Sequence, residues 1–309
     1  MIYPVDVVIT WVDGNDPVHI KKRNSRLAEV GNIATTAYDA TRFVQCGELE
    51  LCVRSWLCYA PWIRTIYIVT DAQQPPVLQK LPNVVDAGRI RVIDHSVIFK
   101  GIESALPTFN SISIESMLWQ IPGLSEHFIY CNDDCFLLRP VKYTDFFLGS
   151  KLVVRGQWKL QHHIKYFNFK APTFHRIIQE NSAKLVGFQR NFLRLPHAPF
   201  ALHKSIFMQS AELCKHNAMS AFRDTAQYWP IYWAQHLVIK NQTGILNNHL
   251  KSVMLHGEMH SWLRMQRKLL RVKYDPHVAF VCIQSLEQTS LKLRNKLMLY
   301  FLSGTTLLN

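Results

Sequence analysis

Short apolar runs alternate with amphipathic stretches along the first half of the chain. Apolar positions at helical spacing predict helices over about 48–59 and 113–121. Runs rich in β-branched and aromatic residues predict four strands, which cover 5–11, 65–70, 91–94 and 127–131. Strands separated by helices need crossover connections. The pattern therefore predicts an α/β fold with a mainly parallel, Rossmann-like sheet and helices on both faces.

The second half of the chain is less regular. Residues 150–250 look helical with loops, and the segments 262–274 and 286–302 are basic and partly amphipathic. We expect an α/β half over 1–150 and a more helical part over 151–309, both within one compact domain.

Acidic residues follow the ends of three predicted strands. Asn132, Asp133 and Asp134 come directly after a buried apolar run, while Asp13 and Asp71 follow earlier strands. Asn and Asp also form turns, which is the alternative interpretation. Because parallel strands share one carboxyl edge, these acids can converge there. Adjacent carboxylates repel each other, and a divalent metal carrying a nucleotide diphosphate relieves that repulsion.

The overall charge indicates anionic partners. The 309 residues are 48% hydrophobic, enough for a large core, and carry a net charge of +13 from 35 basic and 22 acidic residues. No zinc-finger, RNA-recognition or basic-zipper pattern is present, so a nucleic acid is a poor candidate. Lys292, Arg294 and Lys296 lie among leucines and could contact an anionic membrane surface. The alternative is a packed helix with a solvated basic face.

Several features bear on the compartment. No apolar run is long enough for a transmembrane helix, and the N-terminal residues lack the layout of a signal peptide. The seven cysteines are odd in number and include no CxxC pair, which favours reduced thiols over disulfides or a zinc ribbon. We expect a cytoplasmic protein, with peripheral contact at the inner face of the membrane as a possibility.

Motif searches exclude some common enzyme classes. The chain has no GxxxxGK[ST] phosphate loop, no GxGxxG after its first strand and no GxSxG elbow. A P-loop NTPase, a dehydrogenase-type dinucleotide fold and an α/β-hydrolase are therefore disfavoured.

Several segments, in order, resemble the Stealth family of capsular polysaccharide hexose-1-phosphate transferases, which are related to the lysosomal-enzyme N-acetylglucosamine-1-phosphotransferase. The matching segments are DVVITWVDGNDP at 6–17, the stretch that begins at Arg42, APWIR at 60–64, IYIVTD at 66–71, LPTFNS at 106–111, IPGLS at 121–125, FIYCNDD at 128–134 and RLPHAPFAL at 194–202. The resemblance implies a GT-A-like fold. It also implies transfer of a sugar-1-phosphate from a UDP-sugar to a hydroxyl of an acceptor glycan, in capsule or surface polysaccharide synthesis. A phosphodiester forms and UMP leaves.

The same resemblance suggests which residues handle phosphate. Asp133 and Asp134 are expected to hold Mg²⁺ or Mn²⁺ against the diphosphate, with Asp13 joining the metal or contacting the nucleotide. Arg42 and Arg54 suit bidentate phosphate contacts. For Arg54, an ion pair with the glutamate four residues earlier is an equal alternative.

Two further roles concern the sugars. His197 is a candidate general base for the acceptor hydroxyl, although a structural histidine or an acidic base remain alternatives. Asn110 and Glu115 are candidates for binding sugar hydroxyls, and Asn110 could equally cap a helix.

One departure from the family pattern affects the fourth region. That region usually reads Cys-Ile-Asn-Asp, whereas this chain has Cys-Ile-Gln-Ser at 282–285, so a metal or acceptor role for the block is in doubt. Two other functions compete with the phosphotransferase: a conventional metal-dependent glycosyltransferase that releases UDP, and a non-catalytic binder of anionic glycan or membrane.

Overall fold

The computed structural model describes residues 3–31, 44–81, 88–164, 171–257 and 262–304. The strands are β1 Val5–Thr10, β2 Thr65–Thr70, β3 Ile90–Asp94, β4 His127–Asn132, β5 Cys135–Leu137, β6 Phe147–Leu148, β7 Lys151–Val154, β8 Gln157–Leu160, β9 Asn191–Arg194, β10 Phe200–His203, β11 Gly244–Leu246, β12 Lys251–His256 and β13 Val278–Gln284. The α-helices are α1 Pro17–Val30, α2 Glu48–Tyr59, α3 Val77–Lys80, α4 His95–Ile98, α5 Ser111–Met117, α6 Phe174–Leu185, α7 Lys204–Gln209, α8 Ala211–Ala218, α9 Pro230–Lys240, α10 Trp262–Tyr274 and α11 Leu291–Gly304.

The central sheet has the strand order β10-β4-β1-β2-β3. Strands β1 to β4 run parallel, and β10 pairs antiparallel with β4. The chain extends from β1 through β2 to β3 and then returns to place β4 on the other side of β1. At this reversal Thr10 lies opposite Asn132, at the carboxyl ends of their strands. A crevice outside such a reversal is where open α/β sheets bind ligands.

Burial on both faces explains the continuous apolar runs of these strands. Val7 and Ile9 of β1 pack into a core that includes Trp56 of α2. Val8 points to the opposite face and packs into a second core that includes Met117 of α5. A strand covered by helices on both faces needs apolar side chains at successive positions. The predicted α/β class, with a mainly parallel sheet and helices on both faces, is confirmed.

The second half contains more strand than the sequence pattern indicated. Five strands, β7 to β11, lie within the stretch expected to be helical with loops. They are three or four residues long, and β8 is exposed at every position, so neither length nor alternation revealed them. The two halves also share sheets, because β10 joins the central sheet and β13 pairs antiparallel with β5.

The helix boundaries follow the sequence closely in two places. The α2 helix covers the predicted 48–59, and α10 covers the predicted 262–274. The helix expected over 113–121 begins at Ser111 and ends at Met117, followed by a 3₁₀ turn at Leu118–Gln120. Among the described residues, no helix combines the length and apolar character needed to cross a bilayer.

Candidate active site

A cavity of about 1120 Å³ opens at the carboxyl ends of β1 and β4. Residues that follow both strands line it, together with parts of the second half of the chain. The lining includes Thr10, Trp11, Glu48, Glu115, Asn132, Asp133, Asp134, His197, Arg223, Trp229, Gln284 and Ser285. The fold therefore brings four of the residues suggested by the sequence into one cavity: Glu115, Asp133, Asp134 and His197.

The two aspartates form the turn between β4 and β5 and line the cavity. The turn interpretation and the site interpretation of this motif are thus compatible. The Gln45 side-chain amide donates to Asp133 Oδ2 at 2.8 Å, and the Ile283 backbone N–H donates to the Asp134 carbonyl at 2.9 Å. Asp134 Oδ1 is buried and has no hydrogen-bond partner within the described part of the chain. An unpartnered carboxylate oxygen at this place is a potential ligand.

Three carboxyl groups crowd this end of the cavity. Burial raises the pKa of Asp133, and the neighbouring Asp134 and Glu48 raise it further. Burial also raises the pKa of Asp134, although His197 opposes the shift. Glu48, at the first position of α2, has a raised pKa through burial even though it accepts a hydrogen bond from the Cys46 backbone. Without a cation nearby, ionisation of these three carboxyl groups is unfavourable.

Such a cluster fits a divalent cation. The ligand atoms on offer are carboxylate oxygens, which Mg²⁺ and Mn²⁺ prefer, and one of them lacks a partner. A bound cation would lower the pKa of all three carboxyl groups. Sequence reasoning did not select Glu48, because an acidic residue in the first turn of a helix is explained equally well by the helix dipole.

Glu115 lies at another part of the cavity, on α5, with 2% of its surface exposed. Its carboxylate accepts hydrogen bonds from the Tyr130 hydroxyl at 3.0 Å and from the Trp229 indole at 2.6 Å. Burial raises the pKa of Glu115 to about 7, against these two hydrogen bonds and the nearby Arg223. Glu115 can therefore exchange a proton near neutral pH.

Arg223 is a cavity residue that the sequence did not single out. One of its terminal nitrogens donates to the Ser111 hydroxyl at 2.7 Å, and its Nε is buried without a partner among the described residues. Burial lowers the pKa of Arg223, opposed by Glu115 and Tyr130. A buried guanidinium with a free donor suits an anionic ligand. It lies in a segment with no periodic pattern, so only the three-dimensional structure identifies it.

His197 contacts the cavity from the segment before β10. Its Nδ1 lies 3.4 Å from the Gln284 side-chain nitrogen, and its carbonyl accepts a hydrogen bond from the Ser252 hydroxyl. Desolvation lowers the pKa of His197, Asp134 opposes this shift, and the positive charge of Arg194 adds to it. A neutral imidazole at physiological pH can accept a proton. Gln284, which faces this histidine, belongs to the Cys-Ile-Gln-Ser block at 282–285, where the family pattern contains an acidic residue.

Asp13 and Asp71 lie at the same edge of the sheet but do not line the cavity. The Asp13 carboxylate accepts from the Asn15 backbone at 2.9 Å. Asp71 pairs with His19 and Lys22 at 3.0 and 2.7 Å. Burial alone would raise the pKa of Asp71, but these hydrogen bonds lower it to about 2. The predicted convergence of acidic strand ends is therefore seen for Asp133 and Asp134 only.

Of the two arginines proposed for phosphate binding, only Arg54 lies within the described residues. Arg54 donates to Glu50 at 3.0 Å and to the Lys80 carbonyl at 2.7 Å, and it is not among the cavity-lining residues. The ion pair considered as its alternative is the contact that the structure contains. Arg42 lies outside the described residues.

Asn110 is fully buried and caps α5. Its side-chain oxygen accepts from the Ile112 backbone at 3.1 Å, and its amide donates to Gln227 at 2.9 Å and to the carbonyls of Ser220 and Phe222. These bonds use both donors and the acceptor of the amide. The structure therefore supports the capping role of Asn110, which is buried away from the cavity lining.

Two parts of the chain match models of known protein families. Stealth protein conserved region 1 matches residues 3–31, and Stealth protein conserved region 2 matches residues 42–154. The second region contains both cavity aspartates and Glu115. The chain therefore carries two conserved regions of the Stealth family, and the resemblance inferred from its sequence is confirmed.

Curated relatives carry the name exopolysaccharide phosphotransferase. One from Streptomyces coelicolor is 46% identical over 148 residues, which is 48% of this chain and 24% of that protein. Another from the same organism is 39% identical over 212 residues, 66% of this chain and 33% of that protein. CpsY of Mycobacterium tuberculosis is 41% identical over 148 residues, 48% of this chain and 26% of that protein. The chain thus spans a quarter to a third of the length of these relatives.

Two solved structures with a distant overall likeness are glycosyltransferases. The galactosyltransferase LgtC is 13% identical with a TM-score of 0.42, over 90% of this chain and 86% of that one. Mouse xyloside xylosyltransferase 1 is 12% identical with a TM-score of 0.42, over 91% of this chain and 96% of that one.

The raised pKa of Glu115 gives a pH-dependent stability. Its pKa lies at about 7 in the folded protein against an ordinary 4.5. The folded state therefore binds this proton more tightly, and stability falls by about 3 kcal/mol as pH rises through that interval. Glu115→Gln keeps an oxygen for the Trp229 indole and removes the ionisation. We expect Glu115→Gln to gain stability relative to the wild type as pH rises. The measured quantity is the free energy of unfolding in urea, with metal ions chelated. A difference that stays constant with pH would contradict a raised pKa.

Proposed function

We propose that this chain transfers a sugar-1-phosphate from a UDP-sugar to a hydroxyl of an acceptor glycan. The observation that carries the proposal is the cluster formed by Glu48, Asp133 and Asp134, in a cavity at the reversal of the sheet that also contains Arg223. The names of the curated relatives support a phosphotransferase of polysaccharide synthesis. Capsule or surface polysaccharide synthesis is the proposed setting.

The carboxyl cluster is the proposed metal site. Asp133 and Asp134 are the ligands, and Glu48 adds negative charge beside them. When bound, Mg²⁺ or Mn²⁺ neutralises the diphosphate and stabilises the leaving UMP. The carboxylates then remain ionised at neutral pH, which the chain alone disfavours.

Arg223 is the proposed contact for the transferred phosphate. Its guanidinium places a positive charge at the cavity beside Glu115. Its buried Nε has no hydrogen-bond partner among the described residues, so that N–H can donate to a ligand. A guanidinium held in low-dielectric surroundings stabilises charge on phosphoryl oxygens more strongly than one in water.

His197 is the proposed general base. It is neutral at physiological pH, so it can take the proton of the acceptor hydroxyl as the new P–O bond forms and the bond between phosphorus and the UMP oxygen breaks. The sugar keeps its own C–O bond and therefore its anomeric configuration. Glu115, with a pKa of about 7, is the alternative base.

The conventional glycosyltransferase differs in the bond broken. That enzyme would cleave the anomeric C–O bond and release UDP, with the same carboxyl cluster as its metal site. The non-catalytic binder would need no cluster of crowded carboxyl groups in a cavity, and a cluster with raised pKa values is more typical of a functional site than of a binding surface.

The products separate these functions. We expect the purified chain, incubated with Mg²⁺, a panel of UDP-sugars and oligosaccharide acceptors, to release UMP and form a product with a phosphodiester signal in the phosphorus NMR spectrum. Asp134→Asn should lower the rate by a factor of about 100 or more, since it weakens metal binding. Asp275→Asn, the same change at a site outside the cavity, should leave the rate unchanged.

Two results would contradict this proposal. Release of UDP with no phosphodiester would favour the conventional glycosyltransferase. Turnover in Asp134→Asn equal to that of Asp275→Asn would remove the metal site from the reaction. Comparing His197→Gln with Glu115→Gln over a range of pH then assigns the base, because the variant lacking the base loses the pH dependence of the rate.

We further propose that α10 contacts an anionic membrane surface. Leu263, Arg267, Leu270 and Tyr274 follow one another at helical spacing, and the three apolar side chains are exposed by 71%, 53% and 67%. The helix has no acidic residue. Exposed apolar side chains among cations are typical of a helix that lies at a lipid interface. Exposed Lys292 and Lys296 of α11 extend the positive charge of the C-terminal region.

Vesicle binding tests this surface. We expect the protein to co-sediment with vesicles containing phosphatidylglycerol and not with neutral ones, and Leu270→Glu to weaken binding about tenfold through lost apolar burial and added repulsion. Leu185→Glu is the matched control, because Leu185 is 52% exposed on α6, away from this surface. Equal binding to neutral vesicles, or equal effects of the two variants, would contradict the proposal.

A further inference from the structure

Two buried thiols lie against the cavity aspartate. Cys135 begins β5 directly after Asp134, and Cys282 lies opposite it on β13. One oxygen of Asp134 and the two Sγ atoms all lie within 4.8 Å of one another. Oxygen and sulfur ligands are thus gathered at one point beside the cavity.

The strand register holds the two thiols together. The Ile283 backbone N–H donates to the Asp134 carbonyl, and the Leu138 N–H donates to the Ala279 carbonyl. Between two such hydrogen-bonded pairs, Cys135 and Cys282 occupy a pair that exchanges no backbone hydrogen bonds. Side chains approach most closely at pairs of this kind. Their separation is therefore fixed by the sheet and not by flexible side chains.

We propose that Asp134, Cys135 and Cys282 form a site for a thiophilic divalent cation such as Zn²⁺. Two thiolates and a carboxylate are a ligand set that Zn²⁺ accepts and that Mg²⁺ does not favour. As each metal–sulfur bond forms, the thiol releases its proton to solvent. Oδ1 of Asp134 has no hydrogen-bond partner within the described residues, so this carboxylate has an oxygen available to a metal ion.

The position of this site gives it a consequence for the cavity. Asp134 would then share one carboxylate between Zn²⁺ and the hard cation of the proposed reaction, and two divalent cations so close together repel each other. Zinc at the thiols would therefore weaken the binding of Mg²⁺ or Mn²⁺ at Asp134 and inhibit transfer. This inhibition rests on the proposed function, whereas the binding of Zn²⁺ does not.

Metal binding to the purified full chain tests the site directly. The half-buried Cys46 and Cys58 are first changed to Ser, which removes the more accessible thiols. We expect this protein, kept reduced, to bind one Cd²⁺ with a thiolate-to-metal charge-transfer absorption, and Zn²⁺ to displace it. Cys135→Val should weaken Zn²⁺ binding at least about tenfold, as loss of one ligand requires. Cys214→Ala, at a buried thiol elsewhere in the fold, should not weaken it.

A second measurement does not depend on whether Cys135→Val and Cys214→Ala fold. X-ray absorption at the zinc edge of the loaded Cys46→Ser, Cys58→Ser protein should show two sulfur ligands. A site with no sulfur ligand, no charge-transfer absorption with Cd²⁺, or Cys135→Val binding as tightly as Cys214→Ala would each overturn the proposal. A chain that binds zinc in this way but transfers no sugar phosphate would overturn the proposed function alone.

Discussion

The crowding of three carboxyl groups at the carboxyl edge of the sheet is the constraint on which the rest of the account depends. Glu48, Asp133 and Asp134 are placed by different elements, the start of α2 and the turn after β4. Burial raises the pKa of all three, and neighbouring carboxylates raise those of Asp133 and Glu48 further, so the site without a cation disfavours its own charge. Burying these carboxyl groups together destabilises the fold at this place, and a cation bound there would offset that destabilisation.

The surrounding structure explains why the cluster can be tolerated. The strands that lead to it are buried on both faces, and the two core clusters on either side of the sheet hold their ends in place. Glu115 approaches from α5 and Arg223 from the segment before α9, so groups of opposite charge meet at one cavity. The second half of the chain thus completes a site that the first half begins, and the shared sheets fix the two halves relative to the aspartates.

Sequence patterns predicted the first half well because its signals are strong. Continuous apolar runs and helical spacing gave four of the central strands and α2, and the two aspartates stood out by their position after a strand. The same patterns did not reveal the short strands after residue 150, whose three or four residues carry no clear alternation. They left two roles open for Arg54 and for Asn110, because an arginine on a helix surface and an asparagine before a helix look alike whether they bind a ligand or stabilise the fold. Arg223 and Glu48 entered the site only through the three-dimensional arrangement.

Binding of Mn²⁺ tests the central claim most directly. Free Mn²⁺ has a sharp electron paramagnetic resonance signal that weakens when the ion is bound, so a titration of the chain with UDP present counts the sites. The account predicts one tight Mn²⁺ site, which Mg²⁺ displaces and Asp133→Asn abolishes. Absence of Mn²⁺ binding by the wild-type chain, or undiminished binding by Asp133→Asn, would contradict it.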